Sequence, residues 1–567
     1  MPSSMLSTLL FALSGLALCE PSKHHSGPGH HDTHPATPSA HLSNGTYQGV
    51  YSREYEQDYF LGIPYAQPPI GSLRFAPPQA LTESFNEPRS ATEYGLMCIG
   101  YGSDTANLGN PISEDCLTLN VVRPAGVEAG DDLPVGVWVH GGSYVMGGSR
   151  DPRYNLSYIV EQSVSENKPI VAVSINYRLS YWGFLFGKEM NQAGAGNIAF
   201  RDQRMALQWV QDNIAEFGGN PDKVTVWGES AGARSLGMQL VAYDGNNGGL
   251  FHSAILESGS PVAKFGDADV WQPYFDAVVQ KTGCGAASDR LGCLRGLPWQ
   301  TLNDVFNKTT PLNVTSPTLT AVVDGDFITA QGSRLLKDGK FAHVPLLLGN
   351  NFDEGTAYGK QGINTDAQFE AYLASFGFDE DQVAKLTELY PDDPSLGIPA
   401  SFLGRPTDSF GSQWKRVAAF AGDYQQHSGR RLLAESFASA NLPVYSYMWN
   451  VYVNGLGAIY GATHFQEVAF VFNNIYGRGY ATNPFENKPI TYIQLADLMS
   501  KMWVSFIHDN DPNVRKNHRH KGVAWPKYTI DQPDNLVFDT NILGLRYTAK
   551  DDYRKTAIAY LLESVFE

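Results

Sequence analysis

Between residues 133 and 257 the chain alternates short apolar runs with longer helical patterns, and this alternation restricts the fold more than any other feature. "LPVGVWVHGGS" and "KPIVAVSINYRLS" read as buried strands, β-branched, short, and stopped by glycine or polar clusters. "RDQRMALQWVQDNIAEFGG" sets Met205, Leu207, Trp209, Val210 and Ile214 at helical spacing ahead of a double-glycine stop. "DKVTVWG" is a further strand, "SAGARSLGMQLVAY" a helix beginning at its serine, and "SAILESGS" a strand again; "HVPLLLGNNFDEG" follows much later. Strands interleaved with helices predict an α/β fold with a mostly parallel central sheet and helices on both faces.

A chain of 567 residues with 43% hydrophobic residues can bury a large core. No composition break after about residue 45 looks like a linker, so one large domain over 45–567 with insertions is expected rather than several domains.

Within the alternation lies one Gly-x-Ser-x-Gly, "GESAG", centred on Ser230. With 56 glycines in the chain, a shuffled sequence would contain the pattern about 0.4 times, so its position must carry the argument. Ser230 falls between a strand and a helix, where a nucleophile elbow sits, and Gly228 and Gly232 leave room for the tight turn. A serine nucleophile needs a histidine to take its proton and a carboxylate to fix that histidine, in chain order Ser, acid, His. Downstream, Glu354 closes "VPLLLGNNFDEG", with Asp353 as its nearest competitor, and His464 follows in "GATHFQEVAFVF". Upstream, "VWVHGGSYVMGG" offers a glycine turn around Gly141, Gly142 and Ser143 for an oxyanion hole, to which Ala231 adds the N–H after the nucleophile.

The net charge of -17 and the lack of a basic run argue against a nucleic-acid partner. "MPSSMLSTLLFALSGLALCE" is too short to span a bilayer and suits a secretory signal peptide over 1–19, with Ala17 and Cys19 as the small residues before cleavage. A His-, Pro-, Gly- and Ser-rich stretch over 20–44 reads as a flexible segment; its histidines lack the cage of a metal site. Removal of Cys19 leaves four cysteines in an oxidising compartment, spaced for two local loops, Cys98 to Cys116 and Cys284 to Cys293. Asn44, Asn155, Asn307 and Asn313 open glycosylation sequons.

Taken together, "FLGIPYAQPPIGSLRFAPP", "SEDCLTLNV", "FGGNPDKVTVWGESAGA", "VVDGDFI", "GNNFDEGT" and "GATHFQEVAFVF" resemble the type-B carboxylesterase/lipase family, which includes the cholinesterases and large fungal lipases. The resemblance runs from about Gly45 to near Glu567 and implies an α/β-hydrolase fold with large cap insertions. It further implies a triad of Ser230, Glu354 and His464, which ranks Glu354 over Asp353, and oxyanion donors at Gly142, Ser143 and Ala231. Glu229 matches the family, Ser258 aligns with a serine that supports the acid, and Arg74 with Glu114 and Arg178 with Asp202 look like its structural ion pairs. The two cysteine loops fall where the family places its first two disulfides.

Two departures matter. The family's oxyanion turn commonly has glycine where this chain has Ser143, which narrows the site toward bulky alcohols. The loop from Cys98 to Cys116 is short, polar and free of tryptophan, which argues against choline esters and favours an esterase over a lidded lipase.

The expectation is a secreted, glycosylated serine carboxylesterase acting on a small-molecule ester through an acyl-serine, with no cofactor and no metal. Its rivals are a lipase acting on acylglycerols, a tailoring esterase or lactonase for a secondary metabolite, and a non-catalytic cholinesterase-like binding protein. The filled triad positions count against the last.

Overall fold

The structure is a computed structural model describing residues 37–103, 109–307, 319–407, 409–514 and 522–566. The expected signal peptide at 1–19, residues 20–36 of the His-rich segment, and Asn313 lie outside the described residues.

The apolar runs assemble into an eleven-stranded sheet. In chain order its strands are β1 (Val50–Ser52), β2 (Gln57–Pro64), β3 (Thr118–Pro124), β4 (Leu133–Val139), β5 (Val171–Ile175) and β6 (Gly219–Glu229). They continue with β7 (Ser253–Glu257), β8 (Leu346–Asn351), β9 (Val444–Trp449), β10 (Asp534–Phe538) and β11 (Arg546–Lys550). Across the sheet the order is β11, β10, β9, β8, β7, β6, β4, β5, β3, β2, β1. Strands β4 to β10 run parallel, and antiparallel pairs flank them at both edges.

Alternate side chains feed two cores. Val135, Val137 and Val139 of β4 pack on one face and Trp138 on the other; β6 likewise separates Val224 and Val226 from Trp227, and β8 separates Leu346 and Leu348 from Leu347. Both faces are dry, which is why these strands read as continuous apolar runs rather than as alternating ones. Helices Ile198–Asn213 and Ala231–Gly245 cover the first face, and Ile490–Asp509 covers the second through Leu495, Met499 and Trp503.

The ion pairs form as buried forks. Arg74 meets Glu114 at 2.6 and 2.8 Å, and Arg178 meets Asp202 at 2.8 and 2.5 Å. Disulfides join Cys98 to Cys116 and Cys284 to Cys293. Asn307 is exposed, whereas Asn44 and Asn155 are half-buried and the Asn155 side chain caps helix Leu156–Ser165.

One expected boundary is corrected. The segment expected to be flexible over 20–44 is ordered at its end, where Ser39–Leu42 pairs antiparallel with Gly45–Gln48. Ala40 and Leu42 alternate with polar neighbours and are buried, a period of two that the surrounding His, Pro and Ser obscured.

Candidate active site

β6 ends at Glu229 and the next helix begins at Ala231, so Ser230 alone turns the chain, at φ 54° and ψ -121°. Such a conformation costs a serine about 1–3 kcal/mol and persists only where the surroundings enforce it. Here Ser230 N donates to the Glu257 carbonyl at 2.9 Å, and a Cβ on Gly232 would run into the Val139 carbonyl of neighbouring β4. The elbow therefore depends on close approach of two backbones.

Glu354 follows the end of β8, and His464 lies on the long connection after β9. His464 Nε2 is 2.7 Å from Ser230 Oγ, and its Nδ1 is 2.6 Å from Glu354 Oε2. Glu354 Oε1 accepts from Ser258 Oγ at 2.5 Å and from Asn351 N at 2.8 Å. Every oxygen of this carboxyl has a donor. Asp353 does another job: its Oδ2 accepts from Ala462 N at 2.8 Å and so secures the loop that carries His464. Burial pushes its carboxyl up to about 6.

Three more carboxyls surround this chain of contacts. Glu229 Oε1 is 3.3 Å from His464 Nε2; burial pushes Glu229 well above its ordinary range, and Glu467, Glu354 and Glu257 add to the effect. Glu467 accepts from Asn351 Nδ2 at 2.5 Å and is raised to about 7, by burial first and by Glu354 second. Glu257 is held by the indoles of Trp227 and Trp503, and burial raises it well above its ordinary range. Grouping of this kind disfavours the anions of Glu229, Glu257 and Glu467.

On the opposite side, Gly142 has φ 101° and Ser143 φ 55°. Among the described residues the N–H groups of Gly142 and Ser143 have no backbone acceptor, and Ala231, as the first residue of its helix, has none within it. A Cβ on Gly141 would crowd the Glu229 carbonyl and Ser230 Cβ, which places this turn against the elbow. His140 fixes the turn from behind: its ring stacks on Tyr177, whose hydroxyl donates to the His140 carbonyl at 2.7 Å. Among the described residues no cluster of His, Cys, Asp and Glu is arranged to hold a metal.

Residues 36–560 match the family described as the carboxylesterase family. The chain belongs to that family. This carboxylesterase is 36% identical to Lipase 2 of Diutina rugosa, over 93% of its own length and 96% of the relative's. It is 34% identical to Secreted lipase 1 of Botryotinia fuckeliana, covering 89% of each chain. The crystal structure of Aspergillus niger EstA superposes with a TM-score of 0.79 at 27% identity, over 93% of this chain and 98% of that one. The protein is a carboxylic ester hydrolase with an α/β-hydrolase fold. Among the described residues no helix is long and apolar enough to cross a membrane.

Ser230, Glu354, His464, Ser258, Glu229 and the Gly142–Ser143 turn thus come together at one rim of the sheet in this carboxylesterase. Sequence reasoning passed over Glu257, Glu467, Asn351 and Tyr358. Glu467 stands three residues after His464 inside a quoted motif, yet only the folded structure shows it buried beside Asn351. Tyr358, one turn after Glu354, lies against the His464 ring with centroids 5.2 Å apart.

Proposed function

We propose that the protein hydrolyses esters through an acyl-serine on Ser230. The observation that carries the reading is the unbroken chain from Ser230 Oγ through His464 to Glu354, with contacts of 2.7 and 2.6 Å. Ser230 Oγ attacks the ester carbonyl carbon while His464 Nε2 takes its proton. The oxygen that gains charge is met by the N–H groups of Gly142, Ser143 and Ala231. His464 then protonates the departing alcohol oxygen, and water repeats the sequence to release the acid. Glu354 accepts the Nδ1 proton's hydrogen bond throughout, which selects the tautomer with a free Nε2. Burial and the surrounding carboxyls disfavour the anion of Glu229, close to Nε2, and so weaken its competition for that proton.

Secretion completes the proposal, with 1–19 as the signal peptide, glycans on the sequons, and the catalytic domain beginning near residue 37. Relatives named as secreted lipases support export. They also favour a second reading, action on acylglycerols, over soluble esters. The test is a series of 4-nitrophenyl esters of rising acyl length, given to the purified protein and to Ser230→Ala. Turnover that peaks at short chains and vanishes in the variant supports the esterase; a rate that rises at an emulsion interface supports the lipase. Turnover unchanged in Ser230→Ala overturns both.

A further inference from the structure

Arg234 stands one helical turn after Ser230, its N–H donating to the Ser230 carbonyl at 2.8 Å. Arg234 therefore lies in the first turn of the helix that Ser230 opens. Arg178, Arg430 and Arg554, likewise enclosed, each face a carboxylate. Half-buried Arg234 faces none: among the described residues its side-chain hydrogen bonds run from Nη2 to the Gln425 carbonyl at 2.6 Å and to Gln425 Oε1 at 3.0 Å. Its Nε and Nη1 donors are taken by no protein acceptor there. In a chain with 58 acidic against 41 basic residues, a partly dehydrated cation without an anion calls for a partner.

The surroundings are those of a binding wall. Gln425 belongs to a π-helical turn, Asp423–His427, of a type often found at functional sites. The next residue, Gln426, donates from Nε2 to the Tyr358 hydroxyl at 2.8 Å, and Tyr358 packs on the His464 ring. The same turn thus holds the cation on one side and the tyrosine against the imidazole on the other. The Tyr144, Tyr358 and Tyr424 hydroxyls lie within electrostatic reach of the guanidinium.

We propose that Arg234 is a subsite for a carboxylate carried by the ester substrate, so that the enzyme acts on acidic esters such as monoesters of dicarboxylic acids. The inference rests on Ser230 being the reacting centre. The two donors left over, Nε and Nη1, can each give a charge-assisted hydrogen bond to a carboxylate oxygen.

Two matched pairs of substrates test it. With the anion on the acyl side, the 4-nitrophenyl monoester of adipic acid is compared with 4-nitrophenyl hexanoate; with the anion on the alcohol side, 4-acetoxybenzoate is compared with 4-methylphenyl acetate. In one pair the wild type is expected to favour the acidic member by about tenfold or more in kcat/KM, which also tells which side of the ester meets Arg234. Arg234→Met is expected to reduce turnover of that acidic ester about ten- to hundredfold more than turnover of its neutral twin. Arg234→Lys should restore part of the preference, as a cation with a more compact head. No preference in either pair, or equal losses on both members, overturns the subsite. Failure of the wild type on all four esters would overturn the esterase reading instead, so the two failures are distinct.

Discussion

The two sides of the site are built differently. On the side of Glu354 and His464, the acid follows the end of β8 and the histidine lies on the long connection after β9; Ser258 and Asn351 hold the Glu354 carboxyl, and Asp353 holds the loop that carries His464. On the side of Gly142 and Ser143, the turn offers bare N–H groups, Ser143 is exposed, and the loop beyond it is closed by one disulfide. The first side is held by side-chain hydrogen bonds, and the second by backbone conformation with the His140–Tyr177 pair behind it.

The largest effects should come from breaking the first side. Ser230→Ala removes the nucleophile and is expected to lower kcat about a millionfold, with the residue of activity coming from the oxyanion turn and binding alone. Glu354→Gln keeps the shape but presents an amide to His464 Nδ1, favouring the wrong tautomer; a fall of about ten-thousandfold in kcat is expected. Stopped assays on a short-chain ester at neutral pH check both. A Glu354→Gln loss below tenfold would show that another group does the orienting.

That hierarchy was partly legible in the sequence. The alternation from Leu133 to Glu257 announces the parallel sheet because strands buried on both faces must be apolar throughout, and the elbow follows from a strand ending one residue before a helix. The contact chain of Ser230, His464 and Glu354 was legible through order along the chain and the family resemblance. The outer acids were not. Glu257, Glu467 and Glu354 look alike as letters, and only the folded contacts separate an acid under two indoles from one beside an asparagine and one on the imidazole. Strand Ser39–Leu42 was hidden for a different reason: two buried residues do not outweigh the composition of the segment around them.

Those outer acids give a smaller effect with a definite sign. Glu467 is raised to about 7 from an ordinary 4.5, so between these values the folded protein holds a proton that the unfolded chain has lost. Its contribution is therefore fully present below about pH 4.5 and declines as pH rises toward 7, by at most about 1.4 kcal/mol per pH unit. Glu467→Gln, which keeps an acceptor for Asn351, should flatten the decline in Tm across that window. An identical slope in wild type and variant would place the proton elsewhere in the cluster.

The smallest expected effect belongs to the open side. Ser143 adopts φ 55°, a region where a side chain is disfavoured and glycine is not. Ser143→Gly removes that strain while making the unfolded chain more flexible, so the two contributions oppose each other and the net change in stability should stay within about 1 kcal/mol. Its backbone N–H is unaltered, so kcat on a slim ester such as ethyl butyrate should change less than about threefold. Bulk is where the variant should differ: without the Cβ, tert-butyl butyrate should gain on ethyl butyrate by about tenfold in relative kcat/KM, a ratio of the size that one or two methylenes command in a pocket. If the ratio stays put while kcat drops on both esters, the serine hydroxyl itself assists the developing oxyanion, and the open side of the site takes a larger part in the chemistry than its exposure suggests.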